Sequence, residues 1–430
     1  MKKRLFFSLL TSLLTAVAVG QTSTTVSPYS QFGLGQLADQ SLGFNRAMGG
    51  VAYGLRDGRQ VNMQNPASYS SIDSLTMIFD AGVAGQYSSL KEDNKRVNTK
   101  TSAFDYGVAS FRLFPKIGMA AGIVPFSRIG YSLTQTSPLG SSLTAKSNIV
   151  QSGSGGFSQA FVGIGAELCK GLSVGANISY FWGSYDKGIT ISSNDTYVNT
   201  TIRTYTASIS NYKLDLGVQW QRQISKNDVL TLGAIASIGH KLHADATMES
   251  TNSSSMTGAA TTNKQTVSNA FSLPTTVGVG FGLRHRQSLT VAADYTLQRW
   301  STIDMPAFDS STGTYGMHSD CYKDRHKVAA GLDWIPDIHS RKFLSHVHYR
   351  AGASLATPYY KIEGKDGPTE LTVGAGVGIP IFNAWNNRSQ LNITAQWVRT
   401  AASGFVTDNT LRVTIGLTFN ERWFAKWKVD

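Results

Sequence analysis

Charge is scarce in this chain. Only 15% of its 430 residues are Asp, Glu, Lys or Arg, against about 25% in soluble domains. Proline is thin at 11 residues, and there are two cysteines, Cys169 and Cys321. Two cysteines exclude a disulfide scaffold, and the connector pattern described below puts these two on opposite sides of the strand wall's span, so no bond between them is expected. His240 and His243 near a loop, and His346 and His348 on one strand, lack a Cys or carboxylate at ligand spacing. No metal site and no cofactor are therefore expected. Asp324-Arg325-His326 is the nearest approach to a catalytic cluster, and a lone Asp/His pair is chance-level, so the chain is not expected to be an enzyme. The formal charge of +12 is scattered over loops and turns with no basic helix or stripe, which argues against nucleic acid as a partner. After the first twenty residues no window offers the roughly 18 consecutive apolar residues of a membrane helix.

What is present is a rhythm. From Leu75 onward apolar and polar residues alternate one by one. Leu75, Met77, Phe79, Ala81, Val83 and Tyr87 share one face, and Thr76, Asp80, Gln86 and Ser88 the other. At the far end Leu411, Val413, Ile415, Leu417 and Phe419 alternate with Arg412, Thr414, Gly416 and Thr418. Successive side chains of a strand point to opposite faces. Sustained over hundreds of residues, the pattern predicts an all-β fold, a transmembrane antiparallel barrel of about 14 strands, apolar towards lipid and polar towards its lumen.

Four regions follow. Residues 1–20 carry Lys2, Lys3 and Arg4, then an apolar stretch, then a small-residue site at Ala18-Val19-Gly20, the layout of a signal peptide. Residues 21–74 are rich in Gly, Asn and Gln with isolated apolar residues, too few for an independent core; they are expected to form a hatch, or plug, in the barrel lumen. Residues 75–420 form the barrel and 421–430 a periplasmic tail. Connectors alternate short and long, and outer-membrane barrels place short turns in the periplasm. Both termini are then periplasmic, in the outer membrane of a Gram-negative bacterium. Trp182, Trp300 and Trp397 fall at outer strand ends, with Trp220, Trp334 and Trp385 at the inner side, as two interfacial girdles. Residues 192–201 and 250–262 are Ser/Thr/Asn-rich and expected to be mobile. Outer-membrane lipid and lipopolysaccharide are the implied surroundings. The last strand, with Gly416 and aromatic Phe419, resembles the signal read by barrel-assembly machinery, a partner during biogenesis.

Asp80, Asp105, Arg128, Glu167, Lys213, Asp215, Asp294, Lys327, Asp333, Arg350 and Arg412 fall on the lumen face and are expected to pair with one another and with the hatch. Pro125 interrupts the third strand; proline cannot donate to a ladder, so the strand should bulge or kink there, either as a rim irregularity or as a sideways opening in the wall. Arg128, close beyond it, is the candidate for a ligand carboxylate. Phe126, Phe161 and Ile235 are the candidate apolar wall of a substrate path. Gly278, Gly280 and Gly282 are expected to face inward where hatch backbone comes close.

The run Gly43-Phe44-Asn45-Arg46-Ala47-Met48-Gly49-Gly50-Val51-Ala52-Tyr53, followed by Asn65-Pro66-Ala67, resembles the hatch of the FadL/TodX family of outer-membrane transporters for hydrophobic compounds. Ser27-Pro28-Tyr29-Ser30-Gln31-Phe32-Gly33-Leu34-Gly35 resembles a variant of Bacteroidetes-type members. The resemblance marks Gly49, Gly50, Asn65, Pro66 and Ala67 as the hatch motif. It implies about fourteen strands around the hatch and passive diffusion of a hydrophobic small molecule, a long-chain fatty acid or aromatic hydrocarbon, leaving sideways at the kinked third strand near Pro125. The family also includes barrels serving surface-protein secretion or attachment, and a scaffold of that kind, or a general porin, is the alternative.

Overall fold

The computed structural model describes residues 27–92, 95–138, 146–337, 339–381 and 389–422. The expected signal peptide, the C-terminal tail beyond Arg422 and Trp385 lie outside the described residues.

Fourteen strands form the wall: β1 (Thr76–Glu92), β2 (Lys95–Phe114), β3 (Ile117–Pro138), β4 (Lys146–Cys169), β5 (Leu172–Ser193), β6 (Thr200–Gln223), β7 (Asp228–Ser237), β8 (Thr275–His285), β9 (Leu289–Arg299), β10 (Arg325–Trp334), β11 (His348–Ala356), β12 (Thr369–Ile381), β13 (Ser389–Ala401) and β14 (Thr407–Arg422). Each pairs antiparallel with the next, and β14 returns to β1 through Phe79↔Phe419 and Val83↔Ile415, so the sheet closes on itself. Closure removes the outer edges that would leave backbone groups unpaired in lipid. The expected fold class is the observed one.

The alternation maps onto the two faces. Val83, Tyr87, Leu411, Val413, Ile415, Leu417 and Phe419 are exposed, while Thr76, Asp80, Ser88, Thr414 and Thr418 are buried inside. A continuous belt of exposed Val, Leu, Ile and Phe around a wall is what a monomer in water avoids and a lipid-embedded barrel requires. Trp397 faces outward near one rim, and Trp182 lies near it on β5, stacked 5.5 Å from Tyr180; Trp220 and Trp334 are exposed near the other rim. Trp300 departs from the girdle expected of it. Strand β9 ends at Arg299, the chain turns inward, and Trp300 is fully buried with its ring 4.7 Å from that of Tyr359.

One rim carries tight turns, such as Pro115-Lys116 between β2 and β3. The other carries long connections that fold into hairpins. The stretch expected to be mobile around 250–262 belongs to one of them, Ala246–Ser253 paired with Ala260–Val267. Strand β7 stops at Ser237, leaving the upper edge of β6 uncovered; Ala246–Ser253 pairs with that edge through Ala246↔Ala207 to Ser253↔Thr200. Its polar residues serve as cross-strand partners, for instance Thr251 with Thr262 at 3.0 Å and Thr201 with Asn252 at 2.7 Å.

Residues 27–74 lie within the barrel. They contain two 3-10 turns (Pro28–Gln31 and Pro66–Ser71) and one helical turn (Gly43–Arg46). Their apolar side chains complete two cores against the wall. Leu42, Phe44, Met48, Val51, Leu55, Val61 and Ile72 pack with Ile78, Val108, Ala120 and Phe161. Tyr29 and Leu34 join Phe157, Phe181, Trp300, Tyr322, Tyr359 and Tyr360 beneath the long loops. A segment too short for a core of its own thus borrows one from the wall.

Candidate functional site

The hatch motif is built for close contact. Gly49 and Gly50 take φ of +73° and +81°, left-handed values that glycine reaches at little cost. A Cβ at Gly49 would also come within 2.5 Å of the Ala353 carbonyl oxygen. Asn65 caps the second 3-10 turn: its Oδ1 accepts from the Ala67 amide at 3.2 Å, and its Nδ2 donates to the carbonyls of Tyr53 (2.9 Å) and Val218 (3.2 Å). Pro66 opens that turn, where no amide donor is needed. Ala67 is fully buried, and wall glycines Gly175 and Gly217 leave room for the main chain of Pro66 and the Asn65 side chain. The inward glycines of β8 behave likewise: a Cβ on Gly282 would reach 2.5 Å from the Gly54 oxygen, and one on Gly278 would reach 2.5 Å from the Tyr53 ring. Gly280 instead clears the Asp294 side chain on its own wall.

The wall is split on one side. Strands β3 and β4 pair from Ile117↔Ala166 up to Pro138↔Lys146. Strands β2 and β3 pair only from Phe114↔Ile117 up to Gly107↔Ile123. Above that point the two separate. Pro125 sits just past the parting, where the β3–β4 register slips between Pro125 and Ser127 and leaves Phe126 unpaired. Main chain of the hatch takes the vacant edge of β3. Gln36–Leu37 pairs with Arg128 and Ser127, the Ala38 amide donates to the Phe126 carbonyl at 2.9 Å, and the Ser27 amide to that of Gly130 at 3.3 Å. Gln40 adds a donor to the Pro125 carbonyl at 2.7 Å and accepts from Gln159 at 3.0 Å.

Behind this strap lies a cavity of about 190 Å³. Phe126, Phe161 and Ile235 line it, and so do Asp39, Lys327 and Arg412. Three of the four proposed path residues therefore meet. Arg128 does not join them. Strand β2 carries an extra residue, Asp105, at a bulge opposite Gly82 and Val83. Arg128 turns to that carboxylate (3.6 Å) and donates to the Phe104 carbonyl at 3.0 Å, so it bridges the split.

The expectation that lumen charges pair with one another and with the hatch matches the contacts for most of them. Arg46 of the hatch, fully buried, is ion-paired with Asp105 and donates to the Ser41 carbonyl at 2.6 Å. Asp39 lies 4.0 Å from the Arg46 guanidinium. Burial pushes the Asp39 carboxyl up, but Arg46, Lys327 and Arg412 outweigh it and hold it below the usual carboxylate range. Nearer the tight turns, Arg350 donates to Asp333 (3.2 Å), Asn392 (2.6 Å) and Gln390 (3.1 Å). Asp80 accepts from Tyr106 and Thr418, Asp294 from the amides of Ala52 and Tyr53, and Lys213 pairs with Asp215 on its own strand. Arg46 was legible only as the one charge in an otherwise small and apolar motif.

The loop-rim end is roofed by the same strap. The Tyr29 hydroxyl donates to the Val406 carbonyl and accepts from the Ala402 amide at 3.2 Å; Tyr360 donates to the Tyr29 carbonyl at 3.2 Å, and Tyr359 to that of Gly35. Burial, the largest influence, pushes the Tyr29 phenol up to about 12. Lys187 donates to the carbonyls of Gln31 and Gly33.

Solved structures share this architecture. The CymD monoaromatic hydrocarbon channel is 14% identical, with 90% of this chain and 98% of that chain covered and a TM-score of 0.59. The toluene transporter TbuX of Ralstonia pickettii is 17% identical over 90% and 99% of the two chains, again at 0.59. A FadL homologue of Pseudomonas aeruginosa is 12% identical over 93% and 98%, at 0.55. At such identities the likeness is one of fold. No curated protein matches the chain. The family model BamG matches residues 1–430. The chain belongs to the BamG family, and its β-barrel shares the fold of these channels.

Proposed function

We propose that this barrel serves outer-membrane protein biogenesis, as a scaffold in the assembly or surface export of other proteins, with its tight turns and both termini on the periplasmic side and its long loops facing outward. The observation that carries this is the filled lumen. Buried ion pairs hold the hatch, its main chain rests on wall glycines, the strap closes the split, and aromatic side chains roof the loop end. An open porin would need a clear lumen, and a greasy conduit would not line its cavity with Asp39, Lys327 and Arg412. The BamG family name, which points to barrel assembly, agrees with this role. Depletion of the chain in its own host tests it: the folded, heat-modifiable forms of other outer-membrane barrels are expected to fall. Normal levels of those forms would overturn the reading.

A second reading has its own observation. The cavity, with Phe126, Phe161 and Ile235 in its wall, lies directly behind the split at Pro125. A hydrophobic small molecule, long-chain fatty acid or aromatic hydrocarbon, would pass there into lipid by diffusion once the strap moved. Saturable uptake of a labelled fatty acid or toluene by cells expressing the chain, reduced by Pro125→Ala, would favour this reading; equal uptake with and without the chain would sink it.

A further inference from the structure

We propose that the free edge of β2, above its parting from β3, is a strand-acceptor surface on which an upward-running β-strand of a second outer-membrane barrel docks before that barrel closes and its own edge is lost. The inference rests on the assembly role proposed above and names the surface that would serve it.

From Lys95 to Tyr106, β2 is paired along one side with β1. Among the described residues no strand pairs with its other side. Part of this edge lies at membrane depth. Trp397, Leu411, Tyr87 and Lys100 are successive register partners across β13, β14, β1 and β2, and Trp397 is an outward-facing girdle residue. Below Tyr87 and Lys100 the outward face turns apolar at the register partners Val83 and Phe104, with Val83 exposed, so the stretch around Phe104 is the part at membrane depth. Acyl chains cannot satisfy main-chain donors and acceptors there, whereas another strand can. The strap does not do so: its pairing is with β3, and the Arg128 guanidinium reaches one β2 carbonyl, that of Phe104.

The facing edge shows what chemistry the split takes. On β3 the occupant is main chain in antiparallel register, Gln36↔Arg128 and Leu37↔Ser127. By the same chemistry β2, which runs from the loop rim to the turn rim, takes a strand running upward. A second copy of this chain related by an axis along the membrane normal would present its own β2 running downward, and the pair would be parallel. The first strand of a barrel whose N-terminus is periplasmic runs upward. Above the interface Lys95 and Lys100 are exposed beside the edge, which discourages indiscriminate edge pairing and suits a partner strand with acidic residues at its outer end.

The test places the photo-crosslinker p-benzoylphenylalanine at Ser102 or Lys100 of the full chain in living cells of its host. Val279, exposed on β8 between two fully paired neighbours, is the control. Discrete adducts from the first two positions, absent at Val279, whose cross-linked peptide maps to an upward strand of another outer-membrane barrel, are the expected result. Heat-modifiability establishes that each variant is folded, and two edge positions guard against one that is not. No protein adduct, equal adducts at all three positions, adducts to a soluble periplasmic protein, or an adduct of twice the chain mass would each overturn the proposal. Failure of the assembly reading is separable: folded barrels that persist on depletion, alongside position-specific adducts, would remove the reading and leave the surface. A fall in folded barrels without adducts would do the reverse.

Discussion

Gln36 of the hatch stands opposite Arg128 of β3 in antiparallel register, at a place where a neighbouring wall strand is missing. The short strap that makes this contact also carries Tyr29 and Gly35, which hold the loops above the lumen. Wall repair and roof are one covalent segment. Pulling the strap inward would expose the split and release the roof together, so the contacts that retain the hatch govern both openings.

The strongest of these contacts is the buried pair of Arg46 with Asp105, which also faces Arg128. Removing one partner of a buried pair leaves an uncompensated charge and costs about 3–5 kcal/mol. Asp105→Asn is expected to lower the urea midpoint of the heat-modifiable form accordingly. A double variant, Arg46→Met with Asp105→Leu, removes both charges and is expected to recover part of the loss. A single variant as stable as the parent would show that the pair does not hold the hatch.

Asn65 serves three backbone groups at once. Asn65→Ala loses a cap worth about 1 kcal/mol and two donations of about 0.5–1.5 kcal/mol each; the Tyr53 carbonyl keeps a second donor, Gln219 Nε2 at 2.9 Å. Asn65→Asp keeps the cap acceptor but turns a buried carboxylate oxygen toward both carbonyls, so it is expected to fall below the alanine variant in the same unfolding assay. The order parent, alanine, aspartate is the outcome that supports this division of labour; an alanine variant equal to the parent would refute it.

The fold was legible because lipid imposes a simple rule. Outward positions of β1 and β14 must be apolar and inward ones need not be, so the period of two survives along both strands. The rule stops where the environment changes. The outer part of the hairpin, 249–264, is polar and largely open to water and carries no apolar alternation, although Ala246–Ser253 and Ala260–Val267 are paired strands; only its base, with Ala246 and Met248, is buried. Trp300 lies one residue past the end of β9, where strand parity no longer applies. The place of Arg128, outside the cavity lining and beside Asp105, has the same kind of cause. The bulge at Asp105 puts both Asp105 and Tyr106 inside, and it offers Arg128 a carboxylate that alternation in β3 does not reveal. That residues 21–74 need the lumen was legible from their want of a core, but the motif itself only through resemblance, because Gly49 and Asn65 answer to wall residues more than a hundred positions away.

Acid is expected to loosen the hatch through Asp39. Its carboxyl is held below the ordinary value of 3.8 in the folded protein. A group so depressed contributes stability that is present above the unfolded value and is lost as pH falls from there through the folded one. Unfolding midpoints measured from pH 7 down to pH 3 should therefore drop in the region below about pH 4. Asp39→Asn, which has no proton to take up, should start lower at pH 7 and lose less on acidification. Parallel pH profiles for the two proteins would remove Asp39 from the account.

A cross-link across the split separates the two functional readings. Residues directly opposed on an antiparallel pair have Cβ atoms about 4.5–5.5 Å apart, near the reach of a disulfide. The double variant Gln36→Cys, Arg128→Cys is therefore expected to oxidise in the envelope and to staple the strap to β3. Neither native cysteine is bonded, and their replacement by Ser keeps the new bond unambiguous. If small molecules leave through the split, the oxidised staple abolishes uptake and a reductant restores it. If the barrel works with its hatch in place, the staple leaves folded-barrel levels in the host at those of the parent, whether oxidised or reduced. Loss of those levels on oxidation alone would mean that strap movement is part of assembly, since reduction restores every contact except those of the two substituted side chains.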